Sequence, residues 1–203
     1  MSKRIGLFFG SFNPIHVGHL ILCNHLAEHS DLNEIWLVVS PHNPFKEKSS
    51  LLSDMHRLTL VRLATEDNSK LKASNIEFDL PKPSYTVQTL AYLKEKHPEH
   101  QFSLIMGEDN LRGLHKWKNV SEIIQNHVIY VYPRIRTVQE EGKELSDKPH
   151  ESLQGADFRF IDGPILALSA SLIRKNINEG KSVKYLLTPE VEKYVDEMHF
   201  YRD

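Results

Sequence analysis

Two histidines three residues apart, His16 and His19, follow a short apolar stretch near the start of the 203-residue chain. On the first turn of a helix, side chains with this spacing point to the same side. Two imidazoles beside a phosphate can donate hydrogen bonds to the charge that develops during phosphoryl transfer. The spacing therefore indicates phosphate chemistry, although either histidine alone, in a chain with 12 of them, would be ordinary helix surface.

The residues that flank the two histidines also suit an anion. Gly10 permits a turn that a side chain would block. Ser11 and exposed backbone N–H groups can face an anion at the start of the following helix. Gly18 leaves room for a phosphate or a nucleobase to approach the backbone. The histidine pair could instead be half of a zinc site, but the sequence places no convincing third or fourth ligand nearby.

A second group of polar residues, Ser169, Ser171 and Arg174, stands at the start of a predicted late helix. The two hydroxyls can cap the helix and bind phosphate oxygens. Arg174 lies three residues after Ser171 on the same side, so its guanidinium can bind the same phosphates with two N–H groups. Taken alone, the segment is better explained by an ordinary helix cap followed by a surface arginine.

Short apolar runs that could position these groups alternate along the chain with segments of helical period. The predicted strands are Ile5–Phe9, Glu34–Val39, Leu71–Phe78, Phe102–Met106, His127–Val131 and Phe158–Ile161; helices are predicted over about His16–His29, after Ser53, from Ser84 or Thr86, from about Ser169 and from Thr188. This alternation predicts a doubly wound α/β domain over residues 1–203, with a mainly parallel sheet and a helical C-terminal segment. Ligands bind such folds at the carboxyl ends of the strands, where the histidine segment stands.

The composition narrows the class of partner. A formal net charge of −2 gives no general positive field, so we expect no nucleic-acid binding. The single cysteine, Cys23, excludes an intramolecular disulfide and is expected to be a small core residue. A run of eighteen apolar residues and a signal-peptide core are both missing from the sequence, which predicts a soluble cytoplasmic protein without a membrane partner.

Two segments resemble those of a known superfamily. The run Gly10–His19 resembles the (T/S)-F-x-P-x-H-x-G-H signature of the nucleotidyltransferases, which include adenylyltransferases, cytidylyltransferases and class I tRNA synthetases. Asn13 stands where many bacterial members have aspartate. The run Leu168–Lys175 resembles the I-S-S-T-x-I-R-like segment that binds the ATP triphosphate, with Ala170 and Ser171 at its third and fourth positions. The resemblance implies a Rossmann-like nucleotidyltransferase fold.

Three further segments narrow the resemblance to one family. Pro83–Leu90 resembles an S-Y-T-x-x-T-L segment, Met106–Leu111 a G-x-D-x-L segment, and His115–Lys118 the W-K pair that follows it. In this order, and in a chain of this length, they are similar to the segments of bacterial nicotinate-mononucleotide adenylyltransferases. The resemblance covers residues 5–174.

The resemblance implies specific roles. Charge on the reacting phosphates would be neutralised by His16, His19, Arg174 and Lys46. ATP would be contacted by Gly10, Ser11, Phe12, Gly18, Gly107, Asp109, Ser169 and Ser171, and the acceptor by Tyr85, Thr86, Trp117 and Asn43. Many bacterial members have P-P-H-K where this chain has Ser40–Lys46. Mg²⁺ is expected on the triphosphate, with Asp109 as the candidate protein contact, through a water.

The implied reaction joins ATP to nicotinate mononucleotide and forms nicotinate adenine dinucleotide and pyrophosphate. Alternatives are an adenylyltransferase for another phosphorylated acceptor, such as nicotinamide mononucleotide, and a non-catalytic nucleotide sensor. A dinucleotide-binding oxidoreductase lacks support, because no G-x-G-x-x-G follows the first strand. The sequence does not determine the oligomeric state, and a homodimer stays open.

The stretch Arg134–Gly155 is polar and rich in charge. Such composition is typical of an exposed excursion between elements, and we expect the fold core not to need it.

Overall fold

A six-stranded parallel sheet forms the centre of the computed structural model, which describes residues 1–41, 51–133, 149–164 and 166–202. The strands are β1 (Arg4–Gly10), β2 (Glu34–Val39), β3 (Leu71–Ser74), β4 (Gln101–Gly107), β5 (Ile129–Tyr132) and β6 (Phe158–Phe160). Their order is β3-β2-β1-β4-β5-β6. The chain therefore winds outward from β1 in one direction and from β4 in the other, as predicted for a doubly wound fold.

Seven α-helices occupy the described ranges. They are α1 (Val17–His29), α2 (Asp54–Thr65), α3 (Thr86–Lys96), α4 (Glu108–Gly113), α5 (Val120–Asn126), α6 (Ala170–Asn178) and α7 (Pro189–Glu197). None of the helices in these ranges is long and apolar enough to cross a membrane. The C-terminal part of the chain is helical, as predicted.

Side-chain caps fix the start of three helices. Ser53, Ser169 and Thr188 each accept a hydrogen bond from the backbone N–H three residues later, which confirms these predicted helix starts. Ser171, also predicted as a cap, is already the second residue of α6. For α3, however, both predicted caps are wrong. Tyr85 occupies the cap position with an extended backbone, and Thr86 is already the first helical residue.

Separate cores lie on the two faces of the sheet, because successive residues of a strand point to opposite sides. In β1, Ile5 and Leu7 point to one face and Phe8 to the other, and all three are at most 6% exposed. Helices α1, α2, α6 and α7 cover the Phe8 face, whereas α3, α4 and α5 cover the opposite face. Cys23 is fully buried on the Phe8 face, and burial raises the pKa of its thiol, which confirms a core residue.

The third strand is shorter than predicted. The strand expected over Leu71–Phe78 ends at Ser74, because a turn follows in which the Asn75 carbonyl accepts a hydrogen bond from the Phe78 N–H at 2.9 Å. Apolar side chains after the turn still reach the core, since Ile76 packs against the α3 face. Alternating polarity alone does not separate such a packed turn from a strand.

The last two strands also differ at their ends. The strand predicted over His127–Val131 begins at Ile129, because the His127 N–H is taken by the Ile123 carbonyl at the end of α5. The edge strand predicted over Phe158–Ile161 ends one residue earlier, at Phe160.

The charged stretch Arg134–Gly155 is more closely integrated at its end than predicted. Residues 134–148 lie outside the described residues. The short 3₁₀ turn Glu151–Leu153 follows, and Leu153 is only 2% exposed within the core of the α3 face. The expectation that the whole stretch is exposed is therefore wrong at Leu153, a single apolar residue in a polar run that packs into the core, whereas Glu151 and Ser152 of the same turn are exposed.

A buried carboxylate secures the amino end of β2. The Glu34 side chain is 8% exposed and forms ion pairs with Lys3 and Lys72, and its second oxygen accepts a hydrogen bond from the Trp36 indole at 3.2 Å. Burial alone would raise the pKa of Glu34, but the hydrogen bonds from Lys3, Lys72 and Trp36 outweigh it and lower the pKa to about 2. The charged form is therefore favoured by folding.

Glu34→Gln should lower the free energy of unfolding at neutral pH but not near pH 2. A carboxyl whose pKa falls from 4.5 to about 2 on folding stabilises the protein above pH 4.5, and this stabilisation is lost as the pH falls towards 2. Urea unfolding of parent and variant across this range measures the difference, with the exposed Glu66→Gln as control. A parent–variant difference that does not change with pH would contradict the assignment.

Candidate active site

The winding reverses between β1 and β4, which pair along the middle of the sheet. In doubly wound folds the crevice at this point, at the carboxyl ends of the strands, binds ligands. The predicted histidine segment follows β1, whereas Gly107 is the last residue of β4 and Asp109 lies two residues beyond it. Two groups of residues predicted to handle nucleotide are therefore placed at one edge of the sheet.

The turn after β1 is packed from within by Phe12. Its ring is 2% exposed and lies edge-on to both Phe8 and His19, at 5.9 and 5.2 Å between centroids. A Cβ on Gly10 would come within 2.8 Å of this ring, and Phe12 itself has a left-handed φ of 45°. Gly10 is thus required for the Phe12 ring to fold under the turn, and the Phe12 side chain supports His19 from the core.

The two histidines lie together, as their spacing predicts. Their rings stack with centroids 3.7 Å apart. His16 is the extended N-cap residue of α1 rather than part of its first turn, and it is 6% exposed, whereas His19 is partly exposed. A Cβ on Gly18 would lie 3.1 Å from the His16 ring, so Gly18 accommodates that ring.

A backbone hydrogen bond selects the tautomer of His19. The His16 N–H donates to His19 Nδ1 at 3.2 Å, so Nδ1 must be the unprotonated nitrogen. In the neutral ring the proton then resides on Nε2, which points away from this contact. The site therefore holds an imidazole N–H donor at the end of β1.

Arg174 connects the late helix to the turn after β1. Its Nη1 donates to the Asn13 carbonyl at 2.7 Å, across 161 residues of sequence, and its Nη2 donates to Ser171 Oγ at 3.3 Å. Ser169 uses its hydroxyl to cap α6, accepting the Leu172 N–H at 3.2 Å. The two predicted phosphate-handling groups thus meet, and the two described bonds use two of the five guanidinium N–H groups.

A buried arginine that the sequence analysis did not identify holds the ends of two strands. Arg57 is 0% exposed, and its Nη1 donates to the carbonyls of Ser11 at 2.6 Å and Ser40 at 2.9 Å. Its Nε donates to the Leu52 carbonyl at 3.0 Å, and its Nη2 forms an ion pair with Asp54 at 2.7 Å. Four partners thus compensate the burial of this charge.

A weak signal in the sequence could have revealed Arg57. It lies four and seven residues before Val61 and Ala64, two buried residues of α2, and so stands on the apolar stripe of that helix. A charge on such a stripe needs buried acceptors. Backbone carbonyls can supply them, but they leave no trace in a sequence.

The described residues do not support a zinc site at the histidine pair. Among them, one group of at least three potential ligands is close enough to hold a metal ion: His97, Glu99 and His100. These residues lie between α3 and β4, at the opposite end of the strands from His16 and His19.

Comparisons with known proteins agree with this geometry. The cytidylyltransferase-like family model matches residues 7–176. A probable nicotinate-nucleotide adenylyltransferase of Christiangramia forsetii is 56% identical over 203 residues, which cover both chains completely. One of Flavobacterium johnsoniae is 55% identical over 199 residues, or 98% of this chain and 99% of the relative. The chain belongs to the nicotinate-nucleotide adenylyltransferase family.

Solved structures show that the fold of this family member is the Rossmann-like nucleotidyltransferase fold. The Plasmodium falciparum nicotinic acid mononucleotide adenylyltransferase complexed with NaAD aligns with a TM-score of 0.76 at 21% identity, covering 98% of this chain and 97% of that one. The same enzyme complexed with APC aligns with a TM-score of 0.75.

The acceptor-side residues implied by the family resemblance are partly brought together. Tyr85 precedes α3 and is 39% exposed, and Lys118 Nζ lies 4.3 Å from the centre of its ring. This contact joins the start of α3, at Thr86, to the turn that carries Trp117. Trp117 is partly buried against the core of the α3 face rather than fully exposed.

Two of the implied residues cannot be placed. Asn43 and Lys46, together with the rest of the segment 42–50, lie outside the described residues.

The neutral His19 ring in this family member should carry its proton on Nε2. His127 provides an internal control, because its Nδ1 contacts the Phe102 carbonyl at 2.8 Å and must therefore be protonated. Burial, the largest cause, lowers the pKa of His127, which keeps that ring neutral. Long-range ¹H–¹⁵N correlation spectra at a pH where both rings are neutral should show opposite tautomers, and an Nδ1–H form of His19 would contradict the geometry.

Proposed function

We propose that this chain transfers the adenylyl group of ATP to nicotinate mononucleotide, forming nicotinate adenine dinucleotide and pyrophosphate in NAD biosynthesis. The observation that carries the proposal is the Arg174–Asn13 hydrogen bond of 2.7 Å, which joins the two phosphate-handling segments at the point where the sheet reverses. The full-length similarity to nicotinate-nucleotide adenylyltransferases supports the choice of reaction.

The reaction needs little chemistry from the protein. An oxygen of the acceptor's 5′-phosphate forms a bond to the α-phosphorus of ATP, the bond to the β-phosphate breaks, and pyrophosphate leaves with the electron pair. Because the attacking oxygen is already anionic, the transfer requires no general base. The protein contributes positioning and charge stabilisation, which in phosphoryl transfer supply most of the rate enhancement.

Each cationic or donor group has a defined part in this scheme. The Nε2–H of His19 donates to a phosphate oxygen, and its stacked neighbour His16 holds the ring in place. The guanidinium of Arg174 neutralises the triphosphate with the N–H groups that its bonds to Asn13 and Ser171 leave over. Gly10 and Ser11 present the turn after β1 to the nucleotide, and Lys46 is a further candidate cation.

Mg²⁺ fits the donors at the end of β4. Glu108 and Asp109 place two carboxylates directly after this strand, beside the end of β1, and Mg²⁺ prefers hard oxygen ligands. Asp109 would hold the ion through a water, and Gly107 is the N-cap residue of α4. When bound with the triphosphate, the ion neutralises phosphate charge.

The proposed acceptor pocket lies between the start of α3 and the Trp117 turn. The first two N–H groups of α3, those of Thr86 and Val87, have no acceptor in a preceding turn of the helix, whereas the Gln88 N–H donates to the Tyr85 carbonyl at 2.8 Å. The start of α3 therefore presents donors. Lys118 adds a positive charge beside the Tyr85 ring, and Trp117 and Asn43 are the remaining candidates for contact with the pyridine. A carboxylate only accepts hydrogen bonds, whereas a carboxamide also brings an NH₂ donor. Such a pocket favours the acid.

Pyrophosphate release with nicotinate and nicotinamide mononucleotides as acceptors tests both the activity and the pocket. We expect kcat/KM to favour the acid by roughly 10²-fold, about 3 kcal/mol, because the amide would leave polar groups unpaired. Trp117→Ala should weaken use of both acceptors and spare ATP binding. Equal turnover of the two would refute the donor pocket, and ATP binding without turnover of either would indicate another acceptor or a nucleotide sensor.

A further inference from the structure

Tyr201, which follows helix α7, reaches the turn after β1. Its hydroxyl contacts Asn13 Oδ1 at 2.9 Å, across 188 residues of sequence. The same oxygen accepts the backbone N–H of Leu52 at 3.2 Å. Because Leu52 can only donate, the atom that faces both groups is the amide oxygen, and the Tyr201 hydroxyl must donate to it.

The environment of Tyr201 keeps its hydroxyl protonated. Burial raises the pKa of this phenol, although the nearby positive charges of Arg174 and Arg57 oppose the rise. The hydroxyl therefore remains protonated, and able to donate a hydrogen bond, throughout the pH range in which the enzyme would work. It is also close enough to both arginines of the site to sense their charge.

The C-terminal segment that carries Tyr201 is fastened to α2. Tyr194 of α7 contacts His56 Nδ1 through its hydroxyl at 3.0 Å, and the Phe200 ring lies edge-on to His56 at 4.8 Å between centroids. The Phe200 N–H donates to the Val195 carbonyl at 3.1 Å and fixes the turn after α7. Helix α2 also carries Arg57. The two side chains that bind the turn after β1, Arg57 and Tyr201, are therefore both positioned by this helix.

Asn13 contacts both Tyr201 and Arg174 and so couples the positions of their side chains. Its side-chain oxygen is fixed by Tyr201 and Leu52, and its backbone carbonyl accepts the Nη1 donor of Arg174 at 2.7 Å. The direction of this carbonyl sets the plane of the guanidinium, and with it the direction of the remaining N–H groups.

We propose that Tyr201 is a positioning residue for adenylyl transfer, acting through Asn13 to orient Arg174 towards the triphosphate. The proposal rests on the function proposed above. In this role Tyr201 does not need to contact ATP. It contributes by restricting the conformational freedom of the Arg174 side chain. Removing one neutral hydrogen bond of this kind is expected to change the rate about tenfold.

The experiment compares Tyr201→Phe with Tyr194→Phe, which removes a hydroxyl from the same segment but not from the turn. Steady-state kinetics of pyrophosphate release, together with the Kd of Mg·ATP by calorimetry, should show kcat/KM for ATP about tenfold lower in Tyr201→Phe. The KM for the acceptor and the melting temperature should match those of Tyr194→Phe. A loss of similar size in Tyr194→Phe would show a merely structural role and overturn the proposal.

A double-mutant cycle with Arg174→Lys tests the route. If Tyr201 acts through the guanidinium, Tyr201→Phe should have little further effect in the Arg174→Lys background. Additive losses, or parent-like kinetics in the single variant, would overturn the proposal. If the parent itself releases no pyrophosphate with nicotinate mononucleotide, the proposed function fails instead. The Kd of Mg·ATP across the same four proteins then decides the positioning role, with non-additive weakening supporting it and additive or absent weakening overturning it.

Discussion

The geometry of the site depends on the buried guanidinium of Arg57. Ser11 and Ser40 follow the parallel strands β1 and β2, and their carbonyls accept hydrogen bonds from one Arg57 nitrogen. Buried carbonyls without partners cost free energy. Arg57 donates to both carbonyls and also forms an ion pair with Asp54. It thereby fixes the two strand ends against the start of α2.

The other contacts of the site build on this fixed turn. Phe12 folds its ring under Gly10 and supports His19, whose Nδ1 accepts the His16 N–H. Asn13, the residue after Phe12, binds Arg174 with its backbone carbonyl and Tyr201 with its side-chain oxygen. Segments from both ends of the chain therefore meet at the turn. Most of the hydrogen bonds that hold the turn have a backbone carbonyl or a neutral side-chain amide as the acceptor.

Local signals in the sequence predicted much of this arrangement. Strand–helix alternation gave the doubly wound sheet, hydroxyl residues before apolar periods gave three helix starts, and the spacing of His16 and His19 placed their rings together. The glycines were predicted at the right places but for a different reason. Gly10 was expected to permit a tight turn and Gly18 to leave room for a ligand, whereas the close neighbours that a side chain would meet at these positions are the rings of Phe12 and His16.

What the sequence did not predict comes from contacts over long separations. Arg57 binds a carbonyl 46 residues away, and Tyr201 an amide 188 residues away. Neither contact follows the periodicity of a helix or a strand. Every residue has a backbone carbonyl, so the residue type does not show which carbonyl will accept a hydrogen bond. Leu153 was missed for a related reason, because one apolar residue in a charged run carries no periodic signal.

Urea unfolding of Arg57→Met tests most directly whether this guanidinium holds the site together. Methionine fills most of the volume but leaves the carbonyls of Ser11 and Ser40 without their donor. The account predicts a loss of at least about 3 kcal/mol in the free energy of unfolding. Arg62→Met, an exposed change on the same helix, should lose less than about 0.5 kcal/mol. Equal stability of the two variants would contradict the central role of Arg57.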